Sequence, residues 1–341
     1  MPLNRRKVLW STLALMLAAI LVASLNYFTN SQRTAQLKLP TLRIGYLPIA
    51  AQLPLFVAVE EGYFRDEDLQ VQLNQFTSSN DLGNAATADR IDVMAGTASN
   101  VVFDIATVSG KRHKLFVVNP YSNITGHFTD HMIVRKGSDI TKLSQLRGRR
   151  IASFPGSVNR IFVNLILEKY GVPRGTYEYV EMPPPNWEPA LQSGSVDAVS
   201  ALEPAATQII RDGVGTSIFA GFYADLMPDV PLSGHWIAAD YLNRADPKDV
   251  AAILRAYVRA VRFIREHEDR ARLYLVRYAN VRADIVNDVN LNPWRTLAEI
   301  NITRLQEYAD LLAENGALQK LVDVRDFVLP EPQSSVTGLR R

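Results

Sequence analysis

RIDVMAGTASN at residues 90–100 and RRIASFPGSVN at residues 149–159 follow one pattern twice. Each begins with a short apolar stretch, 91–95 and 150–153, of the length of a buried strand. Each then breaks at glycine beside hydroxyls, Gly96-Thr97-Ala98-Ser99 in the first and Gly156-Ser157 in the second. Each continues into a run expected to be helical, 100–108 and 159–170, where Ile161, Leu165 and Ile166 mark the apolar face of the second. Strand, glycine turn and helix, in that order, form the repeating unit of an α/β sheet.

The same order extends outward. Residues 42–46 predict a strand that breaks at Pro48, and 54–61 predict a helix with Pro54 in its first turn and Gly62 as its cap. The stretch 69–76 alternates strictly, with Leu69, Val71 and Leu73 on one face of a strand. A helix at 81–88 and a strand at 115–118 complete a β-α-β-α-β-α-β lobe. Around 149–159 a second lobe follows: strands at 131–135, 150–153, 177–181 and 196–200, and a turn at 143–146. An irregular loop, MPPPNWEP, occupies 182–189, a short helix starts at Ala190, and a further helix opens at Glu203-Pro204. The C-terminal third reads as helical. In 248–268, Val250, Ile253, Leu254, Tyr257, Val258, Val261 and Ile264 share one face, and Arg255, Arg259, Arg262 and Arg265 read as a solvated one. Helices are also expected at 271–278 and 303–314.

The chain has 341 residues, 47% of them hydrophobic and 21% charged, and no cysteine. That length suggests two lobes or domains, and the composition is that of a globular protein. The missing cysteine excludes disulfides, thiolate metal sites, a cysteine nucleophile and a lipidated N-terminal cysteine. The formal charge of +2 is unevenly placed: the first forty residues carry five cations and no acid, which leaves −3 for residues 41–341. No basic stripe with interleaved aromatics appears, so no nucleic-acid partner is expected.

Arg5-Arg6-Lys7 precedes an uncharged run of eighteen residues at 8–25. At about 1.5 Å per residue this run reaches roughly 27 Å, enough for a bilayer core and longer than most cleaved signals. Residues 1–28 are therefore expected to be a membrane anchor or a signal peptide, and 29–40 a polar tether. The remainder is expected outside the inner membrane, in the periplasm.

Five segments in order resemble the periplasmic substrate-binding proteins of ABC importers for sulfonate, taurine, nitrate and related solutes. They are LRIGYLP (42–48), PLFVAVEEGYF (54–64), RIDVMAGTAS (90–99), LRGRRIASFPGS (146–157) and ALQSGSVDAVSALEPA (190–205). The resemblance runs from about residue 41 to 330. It implies a type II periplasmic-binding-protein fold of class α/β, two lobes that are each a β-sheet flanked by helices. Lobe 1 would comprise 41–128 and 229–330, lobe 2 would comprise 129–228, and 331–341 would be a tail. Two crossings, near 119–132 and 228–235, would form a hinge that closes on a ligand. The sequence departs from the family pattern at Asp68 and Asp89, where glycine is usual, and at Leu202, where an aromatic residue often precedes the glutamate.

Open α/β sheets bind ligands at strand carboxyl ends. The Thr97 to Ser99 turn and the Gly156-Ser157 turn are thus candidates for a charge-free anion clamp made of N–H groups and hydroxyls at two facing helix starts. The same hydroxyls suit helix capping. Tyr46, Pro48 and Gln52 lie on a loop that lines the cleft in the family. Asn159, Trp187, Glu203, His235 and Trp236 complete the candidate set. Glu203 suits either a helix start or an ammonium-bearing ligand; Trp187 and His235 suit the core as well as the cleft. Tyr121, Ser122 and Asn123 read as hinge and rim.

No nucleophile elbow, phosphate-binding loop or HExxH motif is present, and the pair His127 and His131 reads as incidental. No enzyme activity, cofactor or metal is expected. The partners expected are a small-molecule solute, an ABC permease with its ATPase, and the inner membrane through the N-terminal helix; a monomer is expected. Alternatives are a membrane-tethered ligand sensor and a pyrimidine-type precursor binder or enzyme on the same fold.

Overall fold

The computed structural model describes residues 41–122 and 128–330. The anchor or signal at 1–28, the tether at 29–40, Asn123, His127 and the tail at 331–341 lie outside the described residues. Among the described residues no helix is long and apolar enough to cross a membrane.

Among the described residues, eleven strands form two sheets. The first contains β1 (Thr41–Tyr46), β2 (Gln70–Gln75), β3 (Val93–Ala98), β4 (Lys114–Tyr121), β10 (Val230–Ile237) and β11 (Arg295–Thr296), in the order β11-β4-β10-β3-β1-β2. The second contains β5 (Asp130–Arg135), β6 (Arg150–Ser153), β7 (Glu178–Glu181), β8 (Ala198–Leu202) and β9 (Gly215–Ala220), in the order β7-β6-β8-β5-β9. The two share a plan. In each, three parallel strands, β2-β1-β3 or β7-β6-β8, are flanked by one antiparallel strand, β10 or β5. The chain leaves the first sheet after β4 to begin the second at β5. It returns from β9 to β10, which enters the first sheet between β3 and β4.

The helices fall where apolar periodicity meets a local start signal. In the first half they are α1 (Leu53–Glu60), α2 (Tyr63–Asp66), α3 (Ser79–Thr87) and α4 (Ser99–Ser109). The hydroxyl of Ser78 caps α3 by accepting from the Asp81 N–H at 3.1 Å. In the second half they are α5 (Ser157–Lys169), α6 (Trp187–Ser193), α7 (Ala205–Arg211) and α8 (Phe222–Leu226). The C-terminal set is α9 (Ala239–Arg244), α10 (Pro247–Glu266), α11 (Glu268–Tyr278) and α12 (Ile302–Glu314). Asp246 caps α10 by accepting from the Lys248 N–H at 2.9 Å, and Pro247 fills the first helical position. Ile253, Leu254, Tyr257, Val261 and Ile264 are buried as the periodicity predicts.

Several expectations are corrected. The arginines of α10 do not simply face water: Arg255 bonds Glu67 at 2.6 Å, Arg259 bonds Asp66 at 2.7 Å, and Arg265 bonds Glu299 at 2.9 Å. The helix in the proline-rich segment starts at Trp187 rather than Ala190, because Pro184–Asn186 already forms a 3-10 turn. Strand β8 lies two residues later than its apolar run suggested, and β3 continues through Gly96 and Thr97 to Ala98. Strands β9, β10 and β11 were not expected. β10 is buried at every position, so it shows no alternation to read.

Candidate functional site

The carboxyl ends of β1 and β2 in the first sheet and of β6, β7 and β8 in the second open on one cavity of about 460 Å³. The loop after β1 contributes Leu47, Pro48 and Ile49; the end of β2 contributes Gln75, Phe76 and Thr77. From the second sheet come Phe154 after β6, Pro183, Pro184 and Pro185 after β7, and Leu202, Glu203, Pro204 and Ala205 after β8. The position follows from the topology: parallel strands end together, and their loops wall the space beyond. Ala279 and Asn280, just past α11, close one side.

A second, narrower space of about 40 Å³ lies at the two helix starts singled out in the sequence. Ser79, Ala98, Asn100, Gly156, Ser157 and Asn159 border it, and Phe154 borders both this crevice and the large cavity. Here the halves touch. Asn100 Nδ2 donates to Ser157 Oγ at 3.2 Å, joining the first turn of α4 to the first residue of α5. Tyr223 donates its hydroxyl proton to Asn159 Oδ1 at 2.7 Å from α8. Asn100 Oδ1 is buried with no protein partner.

Other expected residues have structural work. Ser99 is buried and donates to the Pro231 carbonyl at 3.0 Å, tying α4 to β10. Thr97 stands within β3; its carbonyl accepts from Trp236 Nε1 at 3.2 Å, and its buried hydroxyl has no protein partner. Gln52 is fully buried with its amide lying on Gly96, where a Cβ would come within 1.6 Å of Gln52 Nε2. Gly96 also has a φ of +67°, so only glycine suits both the backbone and the overlying amide. Tyr46 is buried at the end of β1 and donates to Gln75 Oε1 at 3.2 Å. Tyr121 and Ser122 are buried at the crossing, Tyr121 edge-on to Tyr223 with ring centroids 5.0 Å apart.

Three candidates sit in the core rather than on the cavity wall. Trp187 is fully buried, with Nε1 donating to the Met182 carbonyl at 3.0 Å, and its ring backs Phe154, the residue that faces the cavity. Trp236 is fully buried edge-on to Phe103. His235 is buried beside Phe116 and Tyr257, with Nδ1 3.3 Å from the Tyr257 hydroxyl; burial pushes its pKa down to about 3. It is therefore neutral and supplies no charge to an anion. Large rings on β10 and α6 gain most by leaving water altogether.

Glu203 is the ionisable group set deepest in the cavity wall, 5% exposed. Its oxygens accept from the Thr207 N–H at 3.2 Å, the Thr207 hydroxyl at 2.7 Å and the Asn290 N–H at 3.2 Å. The Thr207 contacts hold the first turn of α7, as the sequence suggested. Burial pushes its pKa from 4.5 up to about 7 against these hydrogen bonds. Between those values the native state keeps a proton that the unfolded chain has released, so stability falls as pH rises through the window. Relative to Glu203→Gln, which cannot ionise, wild type is expected to lose about 3 kcal/mol between pH 4.5 and 7, at roughly 1.4 kcal/mol per pH unit. Guanidinium unfolding of both proteins across that range measures the difference; parallel profiles would refute it.

The sequence reading missed Phe76, Phe154, the three prolines and Asn290. Phe154 and the prolines stand inside quoted motifs, where an apolar side chain next to a glycine turn was the available signal. Asn290 had none, because a loop after α11 reaches Glu203 only in three dimensions. Among the described residues no group of three or more His, Asp or Glu is placed to hold a metal ion.

A curated relative, a putative aliphatic sulfonates-binding protein of Bacillus subtilis (strain 168), is 23% identical over 314 residues, covering 85% of this chain and 86% of the relative. The periplasmic aliphatic sulphonate binding protein SsuA from Escherichia coli matches in structure with a TM-score of 0.70 at 20% identity, over 86% of this chain and 93% of its own. The periplasmic nitrate-binding protein NrtA from Synechocystis PCC 6803 matches with a TM-score of 0.69 at 15% identity, over 84% of each chain. These neighbours share the periplasmic-binding-protein fold of two sheets flanked by helices. The profile of the NMT1-like family matches residues 35–276, and the chain belongs to that family.

Proposed function

We propose that this chain is the solute-binding component of an ABC import system and performs no chemistry of its own. It captures a small anionic or zwitterionic solute between its two sheets and delivers it to a permease. It works in the periplasm, attached by the apolar run at 8–25 or released by cleavage after it. One observation carries the reading: the carboxyl ends of parallel strands from both sheets, β1 and β2 from one and β6, β7 and β8 from the other, converge on one cavity of about 460 Å³, in a chain that crosses between the sheets twice. Two crossings permit hinge closure, and the cavity is of the size that encloses a small organic molecule. The sulfonate- and nitrate-binding names of its relatives support the solute class.

A thermal-shift screen of the purified protein against alkanesulfonates, taurine, nitrate, bicarbonate and pyrimidine precursors tests this. A ligand present at a hundred times its Kd stabilises the native state by about 2.7 kcal/mol, so the melting temperature rises. No shift with any solute, together with turnover of one of them, would overturn the transport reading.

A further inference from the structure

We propose that the Glu203 end of the cavity takes a cation, an ammonium or a protonated ring nitrogen, so that this chain selects a zwitterion or an amphiphilic organic cation over a simple anion. The inference rests on the reading of this cavity as the solute site.

Among the described residues that line the cavity, the ionisable side chains are Glu188 and Glu203; none is Lys, Arg or His. The two carboxyls differ in their surroundings. Glu188 is half-buried and feels Arg282, whose guanidinium is held by Asp212 at 2.7 Å and Asp284 at 3.3 Å. Glu203 is buried, and its contacts are all uncharged. A buried carboxylate is costly unless paired, and the protein supplies no counter-ion here.

The hydrogen bonds show which form of Glu203 the site is built for. A backbone N–H addresses each oxygen: Thr207 N donates to Oε2 and Asn290 N to Oε1, both at 3.2 Å. Backbone N–H groups only donate, so the pair suits a carboxylate with both oxygens accepting. The remaining walls combine apolar residues with the uncharged Gln75, Thr77, Gln208 and Asn280, and they include Phe76 and Phe154, whose rings are of the type that attracts cations. Phe154 also borders the crevice at Ser157. An acceptor end and a hydroxyl-and-amide end thus stand on either side of one phenyl ring, the arrangement a zwitterion with separated charges would fill.

Burial holds the pKa of the empty Glu203 near 7. An arriving cation favours the ionised form, so binding is expected to release a proton at neutral pH.

Calorimetric titration of the purified full chain with three probes separates the charges. N-cyclohexylaminopropanesulfonate carries an ammonium and a sulfonate. Cyclohexylbutanesulfonate replaces the nitrogen by carbon. N-propylcyclohexylammonium has the cation alone. The zwitterion is expected to bind at least tenfold tighter than its carbon analogue, with proton release into the buffer. That preference is expected to vanish in Glu203→Gln, whose fold is checked by its unliganded melting curve. Glu188→Gln leaves the buried carboxyl intact and is expected to reduce the preference by a smaller factor. Equal or tighter binding of the carbon analogue would overturn the inference and leave the solute-binding reading standing. Binding of the ammonium probe without any gain from the sulfonate would uphold the inference and remove the anionic part of that reading. If none of the three binds, the inference falls, while the solute-binding reading is decided by the thermal-shift screen.

Discussion

Replacing Ser157 by tryptophan is expected to abolish solute binding, raising Kd at least about a hundredfold, which corresponds to roughly 2.7 kcal/mol. Ser157 is exposed, opens α5 and receives the Asn100 side chain of α4 at 3.2 Å. The crevice between them measures about 40 Å³, far too small for an indole. The bulky side chain would hold the two helix starts apart and block the approach that brings the sheets together. Because the site is on the surface, folding stability is expected to change by only about 0.5 kcal/mol. Calorimetry on the variant with whichever solute the screen identifies, alongside its melting curve, measures both effects. Unchanged affinity would reduce Gly156-Ser157 to a helix start.

Trp236→Ala is expected to act in the opposite way, costing about 3–5 kcal/mol of stability with little direct effect on affinity. Its ring is fully buried in β10, meets Phe103 edge-on with ring centroids 6.2 Å apart, and donates to the Thr97 carbonyl. Truncation leaves a cavity between the sheet and α4, where Phe103 packs, and removes the hydrogen bond to the Thr97 carbonyl. Against a total stability of about 5–15 kcal/mol, such a loss shifts the guanidinium midpoint far down. A loss below about 1 kcal/mol, paired with weakened solute binding, would return Trp236 to the cleft.

These two residues mark the boundary of what was legible. The position of Ser157 at a helix start was legible because a hydroxyl beside a glycine at a strand-to-helix junction lies at the strand's carboxyl end. Trp236 was drawn toward the cleft because β10 was invisible. VPLSGHWI contains a proline, a serine and a glycine, and no period, since it is the inserted antiparallel strand and neighbours cover both its faces. Gly234 illustrates the same point: a Cβ there would come within 2.6 Å of the Val117 carbonyl oxygen, a closeness set by the neighbouring strand. Likewise the arginines of α10 looked solvated because their partners, Glu67, Asp66 and Glu299, are distant in sequence.

By itself the sequence determined the local units and their order. The strand-to-helix units at 90–100 and again at 149–159, the alternation of β2 and the amphipathic face of α10 are all written over ten to twenty consecutive residues, the range across which backbone geometry and apolar periodicity act. Only the tertiary structure decided which loops meet. The wall of the cavity is assembled from six separate segments, and its charge became visible only when Glu203, Thr207 and Asn290 came together. Burial and the pairing of charges depend on neighbours brought close by the closing of two sheets, and no stretch of contiguous sequence carries that information.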